Sequence, residues 1–64
     1  MNNRVEELRK AKGMTQQELG AVLGVSRQTV ISIENGRYNP SLGLAHSIAR
    51  TFGCSIEEIF IFED

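Results

Sequence analysis

The stretch Thr15-Gln16-Gln17-Glu18-Leu19-Gly20-Ala21-Val22-Leu23-Gly24-Val25-Ser26-Arg27-Gln28-Thr29-Val30-Ile31-Ser32-Ile33-Glu34-Asn35-Gly36 decides the fold. It opens on a capping box, in which the Thr15 hydroxyl meets a first-turn amide and Glu18 reaches back to the Thr15 amide. A helix then carries Leu19, Val22 and Leu23 inward and runs into Gly24. Ser26 is a second N-cap, and the helix it starts carries Val30 and Ile33 inward before Asn35-Gly36 stops it. Only Leu23-Gly24-Val25 separates the two helices, and Gly24 supplies the positive φ that so short a turn needs. Gly20, mid-helix, costs ~1 kcal/mol relative to Ala, a cost that makes sense if the next helix crosses close above it.

Working outward, the sequence predicts three more short helices. The first begins after Asn3, read as an N-cap with Glu6 as its reciprocal partner; Val5 and Leu8 share a face, and Gly13 ends it. Downstream, Asn39-Pro40-Ser41 is a loop with a helix start built in, the proline placed for a first turn. Ala45, Ile48, Ala49 and Phe52 then share one face, and Gly53 terminates that helix. Ser55-Ile56-Glu57-Glu58 is a third capping box, opening a short helix that contains Ile59 and Phe60. No strand, repeat or low-complexity stretch is legible. The expectation is an all-α fold of five helices.

The chain has 64 residues, the size of one domain, and a net charge of −1. Four of the eight acids lie in the last eight residues, so residues 1–56 carry seven bases against four acids, a net of +3. A mildly basic body with an acidic tail is compatible with a polyanionic partner, although most charge runs are only solvated faces. One cysteine, Cys54, allows no internal disulfide and fits a reducing compartment. No apolar run approaches the ~20 residues of a membrane span, and the start does not read as a signal peptide. A soluble, cytoplasmic protein that does not engage membranes is expected.

On a helix turning roughly 100° per residue, Gln28, Ile31, Ser32 and Asn35 project opposite Val30 and Ile33, with Arg27 at the margin. Such a surface suits the major groove, where Arg donates twice to guanine, Gln pairs with adenine and an aliphatic group meets the thymine methyl. An amphipathic helix with a polar outer face is also what any soluble bundle shows. The pairing of two capped helices across a three-residue glycine turn is what favours the DNA reading.

Residues 16–36 resemble the helix-turn-helix of the Xre family, the Cro and CI-like repressors of phages and bacteria. Asn39-Pro40-Ser41-Leu42 and Ser55-Ile56-Glu57-Glu58-Ile59-Phe60 also match the family's small regulators. The resemblance covers residues 4–60, with the motif at 16–35 and residues 61–64 as a short acidic tail. It implies a compact, five-helix, lambda-repressor-like DNA-binding domain that acts on a double-stranded DNA operator, with no cofactor, metal or catalysis. Arg27, Gln28 and Ser32 fall where the family reads base edges; Ile31 is on the same strip, but many relatives are polar there. Gln16 matches a glutamine that holds a backbone phosphate and braces the recognition helix. Gln17, Thr29, Arg37 and Tyr38 are further phosphate candidates. Arg9 and Glu34 match a pair read as structural rather than as DNA-contacting.

His46 and Cys54, each the sole residue of its kind, cannot build a zinc site. His46 is read as a surface residue and Cys54 as a small packing residue. The end, Ile59-Phe60-Ile61-Phe62-Glu63-Asp64, has more apolar residues than a last helical turn needs. Either Phe62 folds back over the core, or Phe60, Ile61 and Phe62 form a homodimer contact. No room for a small-molecule effector is evident. The rival functional reading is a protein-interaction or antitoxin-like adaptor on the same fold, supported by an exposed Ile31 and the apolar, acidic tail.

Overall fold

Four of the five helices among the described residues begin where a hydroxyl side chain satisfies an amide that the first turn leaves without an intrahelical partner. The computed structural model describes residues 2–62, in the order β1 (Asn2–Asn3), α1 (Val5–Ala11), α2 (Gln16–Leu23), α3 (Arg27–Glu34), α4 (Leu42–Phe52), α5 (Ile56–Ile59) and β2 (Phe60–Ile61). Glu63 and Asp64 of the expected tail lie outside the described residues. Thr15 and Ser55 head full capping boxes with Glu18 and Glu58, while Ser26 and Ser41 accept from Thr29 and Leu44 amides. Gly24 and Gly53 close α2 and α4 in the left-handed conformation, with φ of 74° and 68°.

The apolar positions converge on one core. Leu19, Ile33, Ile48, Ile59, Val5 and Val30 are fully buried, joined by Ala45, Ala49 and Phe60. Leu8, Leu23, Phe52 and Cys54 pack against this cluster from its edges. Each large side chain taken out of water stabilises the fold by about 1.5–3 kcal/mol. Every helix contributes at least one, so none is optional.

The structure corrects the expected boundaries in five places. Helix α1 starts one residue late: its N-cap is Arg4, which makes no side-chain capping bond. Glu6 consequently stands at the second helical position and turns to Lys10 at 3.5 Å, while Glu7 at the third meets Arg4 at 2.8 Å. Asn3 lies in β1, which pairs antiparallel with β2, Asn2 opposite Ile61 and Asn3 opposite Phe60, while its Oδ1 still accepts from the Val5 amide at 3.1 Å, as expected of it. Two strands of two residues are too short to show a period, so they were invisible in the sequence. Phe60 therefore leaves α5 for β2 and remains buried.

Val22 is 60% exposed rather than inward. The buried side of α2 is centred between Leu19, Gly20 and Leu23, and Val22 lies about 110° around the helix from that centre. Pro40, finally, precedes the Ser41 cap instead of occupying the first turn of α4.

Candidate nucleic-acid interface

Helices α2 and α3 meet with almost no space between them. A Cβ on Gly20 would lie 2.8 Å from the Val25 carbonyl oxygen, so only glycine lets the turn into α3 pass this closely. The Val25 amide donates to the Gly20 carbonyl at 2.9 Å, fastening that turn to the middle of α2. On entry to α3, the Ser26 hydroxyl accepts from the Thr29 amide at 3.1 Å and lies 2.9 Å from the Thr29 hydroxyl. Val30 and Ile33, buried beneath, fix which side of α3 faces out.

Arg27, Gln28 and Asn35 are exposed on that outer side, and Thr29, Ile31 and Ser32 are half-buried. Ile31 is thus less open than the sequence suggested. The chain after α3 curls back, the Arg37 and Tyr38 amides both donating to the Ser32 carbonyl at 3.0 and 3.1 Å. This hook leaves the Arg37 and Tyr38 side chains exposed beside the end of α3. Between α3, Tyr38 and the start of α4 runs a groove of about 410 Å³, lined by Val25, Ser26, Gln28, Thr29, Ser32, Tyr38 and Leu44. On its α3 side stand Gln28, Thr29 and Ser32.

Behind α3 lies a charged junction. Arg9 is 7% exposed and grips Glu34 with two prongs, Nε to Oε2 at 2.6 Å and a terminal nitrogen to Oε1 at 3.3 Å. Its remaining terminal nitrogen donates to the Met14 carbonyl at 2.7 Å. The Glu34 hydrogen bond holds the Arg9 guanidinium still more firmly in its charged form, against the opposing effect of burial. Gln16, half-buried at the first position of α2, adds a bond from Nε2 to Glu34 Oε1 at 3.1 Å. Gln17 beside it is exposed.

The structure thus gathers Arg27, Gln28, Ile31 and Ser32 along one strip. Thr29, Arg37 and Tyr38 lie along its margin, and Gln16 joins Arg9 and Glu34 underneath. Two contacts join partners far apart in the chain, and the resemblance implied only that Gln16 braces the recognition helix, without naming the partner. One is Gln16 to Glu34; the other is Asn3, whose Nδ2 donates to the Ile33 carbonyl at 2.8 Å, at the end of α3. Among the described residues, no three His, Cys, Asp or Glu side chains come together as a metal site would require. No helix among them is long and apolar enough to cross a membrane.

A capped helix, a glycine turn and a second capped helix presenting an open polar face define a helix-turn-helix module. The family model described as helix-turn-helix matches residues 5–59, and the chain belongs to that family. It is 52% identical, over its whole length and 91% of the relative's, to an uncharacterized HTH-type transcriptional regulator of Archaeoglobus fulgidus. A second such regulator, from Methanocaldococcus jannaschii, is 53% identical over all of this chain and 97% of its own length. Among solved structures, the restriction-modification controller protein C.AhdI from Aeromonas hydrophila superposes with a TM-score of 0.78. It is 35% identical, with 89% of this chain and 83% of that one covered.

Proposed function

We propose that the chain regulates transcription by sequence-specific binding to double-stranded DNA, and that it acts as a repressor by occupying an operator. The observation that carries this reading is the outer strip of α3, on which Arg27 and Gln28 are exposed and Ile31 and Ser32 half-buried. In the groove, Arg27 can supply two donors to guanine, Gln28 one donor and one acceptor to adenine, Ser32 a hydroxyl, and Ile31 an apolar contact. Gln16, Gln17, Thr29, Arg37 and Tyr38 flank the strip and fix register against phosphates, which carry no sequence information. The amides of Gln16 and Gln17, which an α-helix leaves without intrahelical acceptors, favour an anion there. Relatives named as transcriptional regulators support the same reading. The site is a binding surface, with no catalytic step assigned to it, and its place of action is the cytoplasm.

The adaptor reading draws less from the structure than from the sequence, since Ile31 is half-buried and Phe60 lies in the core. Selection of bound duplexes from a random pool tests the DNA reading directly. Arg27→Ala should cost ~1–3 kcal/mol on the selected sequence and relax the preference at one position. Arg37→Ala should weaken all sequences about equally and reduce the salt slope by about one counterion. An Arg27→Ala variant that holds the selected site as tightly as the parent would show the reading face to be misassigned.

A further inference from the structure

The Glu34 carboxylate is almost wholly buried, with 5% of its side chain exposed, and three N–H groups converge on it. Two come from Arg9 and would suffice to neutralise it. The third, from Gln16, is not needed for charge balance, and its donor stands at the head of α2 where a DNA phosphate is expected. We infer that Glu34 is a positioning residue for DNA binding, orienting the Gln16 carboxamide so that its NH2 rather than its carbonyl meets the phosphate. The inference rests on the DNA-binding reading and deepens it.

The argument is one of donor inventory. A glutamine side chain has an NH2 end and a carbonyl end of nearly equal shape, and on an open surface it presents either. An ionised carboxylate only accepts, so Glu34 can hold nothing but the NH2 end. One N–H is taken inward at 3.1 Å from Glu34 Oε1. The other N–H of the same nitrogen remains to donate, and the carbonyl is turned away from the carboxylate. A phosphate oxygen, also acceptor-only, is matched by that second N–H and would be repelled by the carbonyl. Fixing the side chain beforehand also removes part of the entropy cost of immobilising it on binding. Arg9 holds Glu34 in place through its two bonds, so the buried pair acts on DNA through Gln16 and without touching it.

A double-mutant cycle tests this. Gln16→Ala should weaken binding to the selected duplex roughly tenfold, the value of one hydrogen bond to a charged group. Glu34→Gln, measured well below its melting midpoint, should weaken binding in the parent and cause no further loss in the Gln16→Ala background. Additive losses would overturn the inference. If Glu34→Gln fails to fold, the side-chain amide NMR signals of the parent decide. One Gln16 carboxamide proton should be displaced and slow to exchange in the free protein, and the other should shift when duplex is added. The Gln17 pair, on an exposed side chain of the same turn, is the reference. Gln16 protons indistinguishable from those of Gln17 would overturn the inference. A parent that binds no duplex at all refutes the functional reading instead, which keeps the two failures apart.

Discussion

A methyl group at position 20 would meet the Val25 carbonyl oxygen at 2.8 Å, and that atom is backbone, which cannot swing aside. Gly20→Ala gains ~1 kcal/mol of helix propensity but must push the turn into α3 outward, with a strain cost of about 1–3 kcal/mol. The expected outcome is a lower melting temperature together with weaker DNA binding, because the displaced residues are Val25 and Ser26. A variant that melts above the parent would show that the turn gives way freely. Arg9 poses the opposite problem, an interaction removed rather than a clash added. Arg9→Ala leaves Glu34 buried with Gln16 as its remaining donor, a loss on the order of 3 kcal/mol. Lys10→Ala breaks only an exposed pair with Glu6 and should cost under about 0.5 kcal/mol. Superimposable thermal melts for the two variants would remove the buried pair from the stability account.

Among elements, α2 and α5 share a device that is sensitive to acid. The Thr15 amide donates to Glu18 at 2.8 Å and the Ser55 amide to Glu58 at 2.8 Å. Those backbone bonds first, and the cap side chains second, hold both carboxyls below their ordinary value of 4.5. Arg4 does the same for Glu7 through a direct side-chain bond. With the folded values depressed, the unfolded chain takes up protons first as pH falls. The contribution to stability is therefore complete above about pH 4.5 and drains away as pH drops through the lower folded values. Glu18→Gln combined with Glu58→Gln keeps an acceptor in each box and removes the titration. Chemical denaturation from pH 6 to pH 3 should show a shallower acid loss for this double variant than for the parent. Parallel curves would show that the boxes do not titrate differently in the two states.

The elements also show what could be read in advance and what could not. Caps and glycines are local chemistry, so α2, α3 and their turn were legible from Thr15, Glu18, Gly24 and Ser26 alone. Asn3 does accept from the Val5 amide, but its bond to the Ile33 carbonyl and its pairing with Phe60 depend on partners that no window around position 3 contains. Val22 is apolar and three residues from Leu19, but the direction of the core is set by Gly20 and Leu23, which only the packing reveals. At the interface, the identities along α3 were legible because a helix with two buried residues fixes the rest by rotation. The bracing role of Gln16 came from the resemblance, but its partner Glu34 was not legible, since it depends on how α2 and α3 are docked.

At the scale of the whole molecule, the large aliphatic and phenyl side chains left exposed among the described residues are Val22 on α2 and, away from it, Leu42, Ile61 and Phe62, 80%, 46% and 64% exposed. Leu42 and Phe62 border one groove of about 230 Å³ with Pro40 and Ile56. Because Phe60 is committed to the core, a homodimer contact through this region would fall to Ile61 and Phe62 with Leu42 beside them. Pairing two modules offers DNA two half-sites one helical turn, ~34 Å, apart and raises the modest affinity of a single module. Sedimentation at micromolar concentration should give twice the monomer mass, and Phe62→Asp should halve it. A parent that stays monomeric both free and on duplex DNA would exclude this arrangement.

The pairing of β1 with β2 has a topological side. Asn2 lies directly across from Ile61, so the described backbone traces a path that almost meets itself. A short glycine-rich bridge spliced from one side of that pair to the other would turn the chain into a ring without bending anything in the native fold. Its effect would fall on the denatured ensemble, which would lose many of its extended shapes while the native fold gave up nothing. A cyclised version of this domain would therefore survive heat that opens the linear one.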